Sequence, residues 1–128
     1  MIVTNRQRIL CVEDDRDMIE LIRVVLERRG FEVIGVLGRR GALEAIRREK
    51  PDLLLLDLMM PEVGGWEIFR QMKADETLRD IPVVVVTAKV TPMDQALGLH
   101  VAKVDDYITK PFGLQGLADS VERVLKKQ

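Results

Sequence analysis

Short apolar stretches recur along the chain, and each is followed by a longer segment whose apolar residues return every three or four positions. The short stretches lie at residues 9–12, 31–36, 53–56, 82–86 and 106–108. We predict a strand at each, because most are continuous apolar runs of strand length bounded by charged or turn residues. Such runs are typical of strands that are buried on both faces, as in a parallel sheet covered by helices.

The longer segments have helical spacing, most clearly in the first, where one face carries Met18, Leu21, Ile22, Val25 and Leu26. Gly30 then marks the end of this helix. The predicted helices cover residues 17–30, 41–50, 65–75, 91–101 and 114–127. Five strands alternating with five helices predict a doubly wound α/β fold, because right-handed crossovers place helices on both faces of a parallel sheet.

Composition narrows the class of protein. A chain of 128 residues fits one domain, residues 1–128, with one hydrophobic core. Its 20 basic and 21 acidic residues nearly cancel, which argues against direct nucleic-acid binding through a basic face. No run approaches the roughly 18 apolar residues of a membrane span. The single cysteine, Cys11, lies in an apolar run and favours a buried thiol in a reducing, cytoplasmic setting.

Polar residues with chemical potential stand where the predicted strands end. The first strand ends in Glu13, Asp14 and Asp15, and the third ends in Asp57 after its leucines. The fourth strand ends in Thr87, and the fifth leads into Lys110. The carboxyl ends of parallel strands meet at one edge of the sheet, where ligands of such folds bind. An unpaired carboxylate beside four leucines is costly to bury, so Asp57 needs a compensating partner there.

Four stretches together resemble the receiver domain of bacterial two-component response regulators, the chemotaxis-regulator-like fold. They are "ILCVEDD", "PDLLLLDLMMPEVGGWE", "IPVVVVTA" and "DDYITKPF", and the resemblance covers roughly residues 8–126. It implies a flavodoxin-like five-stranded sheet in the order 2-1-3-4-5. By position it also implies roles for seven residues: Asp57 as phosphoacceptor, Glu13 and Asp14 as metal-site acids, the backbone carbonyl of Met59 as a further metal ligand, Thr87 and Tyr107 as a switch pair, and Lys110 as the lysine that contacts the phosphoryl group.

The implied chemistry explains why these residue types are needed. Asp57 would attack a phosphoryl group, and both are anions. One Mg²⁺ ion, for which Mn²⁺ is a possible substitute, together with Lys110 would balance the three carboxylates and orient the reacting oxygens. The expected inner ligands are Asp14, Asp57 and the carbonyl of Met59, with Glu13 acting through a water molecule. For Asp15 the expected role is the N-cap of the first helix.

The resemblance also implies partners. The phosphoryl group would come from a sensor histidine kinase, a histidine phosphotransfer protein or a small donor, since the lone His100 is expected on an exposed helix. An unknown output protein or domain would read a face formed by the fourth helix, fifth strand and fifth helix. Three stretches depart from the family pattern. Gly64 replaces a common aspartate, Lys103 with Val104 replaces a frequent Gly-Ala pair, and Gly116 with Leu117 replaces a Glu-Leu pair used in one mode of dimerisation.

Other functions remain open at this point. A pseudo-receiver that is folded but never phosphorylated, acting as a protein-interaction module, would lack one of the key side chains, and all are present. A flavodoxin-like nucleotide binder would need an anion-binding loop after the first strand, whereas "EDDRD" repels phosphate. A hydrolase of the dehalogenase type would need an acid or threonine two residues after Asp57, where the chain has Met59.

Overall fold

The computed structural model describes residues 6–57, 64–87, 104–109 and 112–127. Five strands form one sheet in the order β2-β1-β3-β4-β5, and every neighbouring pair is parallel. The strands are β1 (Arg8–Glu13), β2 (Glu32–Leu37), β3 (Leu53–Asp57), β4 (Val83–Thr87) and β5 (Asp106–Thr109). The predicted doubly wound topology and strand order are confirmed.

The helices of the described ranges are α1 (Arg16–Arg28), α2 (Ala42–Glu49), α3 (Gly64–Ala74) and α4 (Leu114–Lys126). The last of these, α4, is the fifth helix of the sequence prediction. The helix predicted at 91–101 lies outside the described residues. Among the helices that are described, none is long and apolar enough to cross a membrane.

The core has two layers, one on each face of the sheet. On one face, alternate strand residues such as Cys11, Leu55 and Val84 pack with α1 and α4. On the other face, their neighbours such as Val12 and Leu56 pack with α2 and α3. Successive strand residues point to opposite faces. Both faces are covered, so both sets of positions must be apolar, which accounts for the continuous apolar runs.

Helix α1 begins and ends as its sequence predicts. The side chain of Asp15 accepts hydrogen bonds from the backbone N–H groups of Asp17 and Met18, so Asp15 is the N-cap. At the other end Gly30 has a φ of 92°, in the left-handed region that glycine enters without strain. The carbonyl of Leu26 accepts from the N–H of Phe31, which closes the helix and starts the chain toward β2.

All five strands end one residue beyond the apolar runs of the sequence. Glu13, Asp57 and Thr87 are the last residues of β1, β3 and β4 and pair with residues of the neighbouring strands. Strand β4 begins at Val83, after Pro82, since proline has no N–H to donate to the sheet. The backbone pairing of the sheet therefore includes the polar end residues as well as the apolar ones.

Candidate functional site

Three carboxylates meet at the carboxyl-terminal edge of the sheet. Glu13, Asp14 and Asp57 each place one carboxylate oxygen within 4.8 Å of the other two. Strands β1 and β3 are neighbours in the sheet and pair in register, with Val12 opposite Leu56. The residue after each of these therefore lies at the same level, which is why the acid of β3 meets those of β1 although more than forty residues separate them in sequence.

The three acids differ in their exposure. Glu13 is 1% exposed and Asp57 is 2% exposed, while Asp14, the first residue beyond β1, is exposed to solvent. The backbone carbonyl of Glu13 accepts a hydrogen bond of 2.7 Å from Gly38, which holds the end of β1 against the turn after β2. One Glu13 carboxylate oxygen accepts from the N–H of Asp14 at 3.2 Å. The cluster is thus held in place by its two buried acids, and it is open to solvent at Asp14.

This donor set fits a divalent cation. Three carboxylates so close together repel one another, and a cation between them converts that repulsion into attraction. Carboxylate oxygens are the ligands that Mg²⁺ takes at about 2.0–2.1 Å, usually with several water molecules retained. Oxygens within 4.8 Å of one another need only small side-chain rotations to share one such ion, and the exposed side at Asp14 leaves room for its waters.

Asp15 does not belong to this cluster. Its carboxylate oxygen accepts the N–H of Asp17 at 2.9 Å and that of Met18 at 3.3 Å, so it is turned toward α1. The run of three acids after the first strand therefore divides, as the sequence predicted, into two residues that join Asp57 and one that caps a helix.

The other residues singled out in the sequence are only partly described. Thr87 is the last residue of β4, one position beyond Val86, which pairs with Asp57. Tyr107 lies in β5 and is half-buried against the core layer of α2 and α3. Met59 and Lys110 fall outside the described residues, so their roles remain predictions. Phe69 is buried and Trp66 half-buried, and their rings pack edge to face with centroids 5.8 Å apart.

One polar cluster was missed by the sequence interpretation. In β5, one carboxylate oxygen of Asp106 accepts from the hydroxyl of Ser120 and, at 2.7 Å, from the guanidinium of Arg123. Its other oxygen accepts from the N–H of Tyr107 at 2.8 Å. The one signal in the sequence is that Ser120 is a polar residue next to the apolar stripe of α4, and the structure shows that it is only 2% exposed. A buried hydroxyl of this kind needs a partner.

Comparison with known proteins decides the family. The family of response regulator receiver domains matches residues 9–122. The chain belongs to this family. It is 40% identical over 124 residues to the DNA-binding response regulator MtrA of Mycobacterium tuberculosis, covering 97% of this chain and 53% of that one. It is also 40% identical over 119 residues to the phosphate regulon transcriptional regulatory protein PhoB of Pseudomonas aeruginosa, covering 93% and 52%.

Solved structures agree with this assignment. The signal receiver domain of a signal transduction histidine kinase from Syntrophus aciditrophicus superimposes with a TM-score of 0.83 at 35% identity, covering 94% of this chain and 91% of that one. The predicted family and its place in two-component signalling are thus confirmed. The receiver chain spans about half the length of the curated relatives it matches.

Proposed function

We propose that this receiver domain is a phosphoacceptor switch in which Asp57 takes up the phosphoryl group. The observation that carries the proposal is the placement of Asp57, buried at the end of a central strand and within 4.8 Å of Glu13 and Asp14. Asp15 has a helix-capping role and is turned away from this cluster. Asp57 is the one acid of β3, and its neighbours supply the charge pattern that a metal-assisted phosphoryl transfer needs.

In the proposed site, Glu13, Asp14, Asp57 and the backbone carbonyl of Met59 hold Mg²⁺ or Mn²⁺. When bound, the cation neutralises charge between the nucleophile and the incoming phosphoryl group. An oxygen of Asp57 attacks phosphorus, and the new oxygen–phosphorus bond forms as the bond to the donor breaks, with its electron pair leaving on the donor. With acetyl phosphate the leaving group is acetate. Lys110 contacts a second phosphoryl oxygen.

Signal output is proposed to follow from the added charge. Thr87, at the end of β4, donates its hydroxyl to a phosphoryl oxygen, and Tyr107 of the adjacent strand β5 changes its position in response. The partner reads the face that contains β5 and α4, together with the helix predicted at 91–101. The change is a shift between two existing arrangements, so the partner's affinity for the two states sets its size.

The proposed partners follow from the family. A sensor histidine kinase or a histidine phosphotransfer protein supplies the phosphoryl group. The two relatives are a DNA-binding response regulator and a transcriptional regulatory protein, and roughly half of each lies beyond the match. An output domain or protein that contacts DNA is therefore proposed as the next component, with the receiver itself not touching nucleic acid.

The test is phosphorylation of the purified chain by acetyl phosphate, with and without Mg²⁺. We expect incorporation of one phosphoryl group in the presence of Mg²⁺ and none after its removal by chelation. Asp57→Asn should abolish incorporation. The matched control is Asp15→Asn, which removes a neighbouring charge but keeps a good N-cap. Loss of labelling in both variants, or in neither, would contradict the assignment of Asp57. A wild-type chain that is never labelled would be the pseudo-receiver.

A further inference from the structure

The side chain of Asp106 links the backbone of its own strand, β5, to the helix α4. One of its oxygens holds the backbone N–H of Tyr107, and the other holds Ser120 and Arg123 of α4. The link joins residues 14 and 17 positions apart in sequence, so it is a tertiary contact rather than a turn.

Asp106 and Tyr107 face opposite layers of the core. Tyr107 packs against the layer of α2 and α3, whereas Ile108, the residue after it, packs against the layer of α1 and α4. Strand residues alternate between faces, so Asp106 lies on the same face as Ile108, which is where it meets α4. The peptide group between Asp106 and Tyr107 therefore connects a side chain on one face of the sheet to a side chain on the other.

Strand β5 is suited to move more than the three central strands, β1, β3 and β4. It is the last strand at one edge of the sheet and pairs only with β4 among the described strands. Its first three residues are half-buried and its fourth is exposed, whereas the five residues of β3 are all buried. An edge strand with one partner is held by fewer backbone hydrogen bonds, so a change at Tyr107 meets less resistance there than in β3.

We propose that Asp106 is a positioning residue that transmits the state of Tyr107 through the edge of the sheet to α4. This inference rests on the proposed function and adds the route by which the switch reaches the helix. When Tyr107 changes position, its peptide N–H moves with it. Asp106 follows this donor, and its second oxygen then changes the position of α4 through Ser120 and Arg123.

The charge on Asp106 supports this role. Burial acts against its ionised form, but the hydrogen bonds from Ser120, the Tyr107 N–H and Arg123 outweigh that cost and lower its pKa. The group therefore stays a carboxylate at neutral pH and accepts at both oxygens at once. A carboxylate accepts hydrogen bonds from charged donors more strongly than a neutral amide does, so the two ends of the link are held firmly.

A plain structural tether is the competing explanation. In that case the cluster would stabilise the fold without transmitting any change, and another ion pair on the same helix would serve equally well. The chain offers such a pair as a matched control. Arg29 at the end of α1 contacts Asp119 and Glu122 of α4, both at 3.1 Å, and neither ion pair involves β5. Removing either contact loosens α4, but the Asp106 cluster also connects this helix to Tyr107.

The experiment reads the two ends of the link separately. The chain has one tyrosine, so 3-fluorotyrosine gives a single ¹⁹F resonance that reports on Tyr107. Backbone amide shifts of residues 117–124 report on α4. Both are recorded before and after phosphorylation by acetyl phosphate with Mg²⁺. In the wild type we expect both the fluorine resonance and the helix amides to shift.

The uncoupling variant is Ser120→Ala combined with Arg123→Met, which leaves Asp106 and its bond to Tyr107 intact. We expect Asp57 to be labelled and the Tyr107 resonance to shift as in the wild type, while the shifts of the α4 amides fall by at least about half. Arg123→Met alone should give an intermediate loss, and Arg123→Lys should restore part of the response because it keeps a cationic donor. Arg29→Met should leave both responses in place.

Two results would overturn the inference. One is a full response of α4 in the double variant, and the other is an equal loss in Arg29→Met, which would show that any loosening of the helix has the same effect. A wild-type chain that takes up no phosphoryl group at all would remove the proposed function itself. The two failures are distinguishable, since the label on Asp57 is measured in the same samples.

Discussion

Glu13 and Asp57, the end residues of two neighbouring strands, place their carboxylates within 4.8 Å of each other at the edge of the sheet. Both are almost fully buried, at 1% and 2% exposure. Two adjacent acids inside a protein repel each other, so their arrangement is most favourable when a cation is shared between them. The predictions for the site follow from this pair and from Asp14 beside it.

The first prediction concerns the metal. Asp14→Asn should weaken Mg²⁺ binding by at least about tenfold, a loss of the size typical when one group supporting a metal site is removed. Without metal the same variant should be as stable as the wild type or slightly more stable, because one of three repelling charges is gone. Calorimetric titration gives the affinity, and thermal unfolding with and without Mg²⁺ gives the stability.

Asp17→Asn is the control for this measurement. Asp17 is an exposed acid of the first turn of α1 and lies outside the cluster. Its replacement should leave the Mg²⁺ affinity nearly unchanged. Equal weakening in both variants would mean that general negative charge, rather than the three-carboxylate cluster, attracts the cation.

The second prediction separates the N-cap from the site. Asp15→Ala removes the acceptor for two N–H groups at the start of α1 and should lower the free energy of unfolding by about 0.5–2 kcal/mol. Asp15→Asn should lower it by much less, since asparagine is also a good cap. Urea denaturation measures both variants. An Asp15→Ala protein as stable as the wild type would show that the cap contributes nothing.

The third prediction tests how closely α1 approaches β2. A methyl group added at Gly35 would lie 2.4 Å from Cγ2 of Ile19, a side chain that is stiff because it is branched at Cβ. Gly35→Ala should therefore destabilise the protein by about 1–3 kcal/mol, as expected for overpacking. Adding Ile19→Ala should cost less in the Gly35→Ala background than in the wild type, because the colliding methyl group is then absent.

Gly116→Ala is the matched control for this glycine. Gly116 lies within α4, and an added methyl group there meets nothing within 4 Å. Alanine is the better helix former, so this variant should be more stable than the wild type by up to about 1 kcal/mol. If the two glycine variants changed stability in the same direction, the close approach at Gly35 would not be the cause.

The fourth prediction concerns acid stability. The pKa of Asp75 lies below its ordinary value of 3.8 because the carboxylate accepts hydrogen bonds. The largest effect comes from the hydroxyl of Thr77, followed by the backbone N–H of Thr77 and the guanidinium of Arg47. The folded state therefore binds this proton less readily than the unfolded state. The stabilisation is complete well above pH 3.8 and is lost as the pH falls through the lowered pKa.

Asp75→Asn tests the predicted direction in which stability changes with pH. The variant should be less stable than the wild type at neutral pH, and the difference should shrink as the pH is lowered into the range where Asp75 becomes protonated. Free energies of unfolding at a series of pH values, measured on both proteins, give the difference directly. A difference that grew on acidification would reverse the predicted linkage.

Periodicity predicted the fold well for a physical reason. Leu53 to Leu56 and Val83 to Val86 are continuous apolar runs because both faces of the sheet are covered, and this property is local in the sequence. The carboxyl ends of parallel strands share one edge of the sheet, and from this rule the sequence also predicted that Glu13, Asp14 and Asp57 lie close together. The polar ends of the strands were also predicted, since β3 ends at Asp57 and β4 ends at Thr87.

The cluster around Asp106 was not predictable in the same way. Its members come from β5 and α4, and no spacing rule relates a strand residue to residues 14 and 17 positions later in the next helix. The pairing depends on how α4 lies across the edge of the sheet, which is decided by packing of the whole layer. The sequence showed only that Ser120 was a polar residue beside an apolar stripe.

The most direct test of Asp57 as the phosphoacceptor is to locate the phosphoryl group in the chain. After reaction with acetyl phosphate and Mg²⁺, reduction with borohydride converts an aspartyl phosphate to homoserine, and peptide mass spectrometry then identifies the residue. If Asp57 is the phosphoacceptor, we expect homoserine at position 57 and at no other aspartate, with Asp14 and Asp15 unmodified. Homoserine at another aspartate, or a phosphoryl group found on His100 instead, would contradict it.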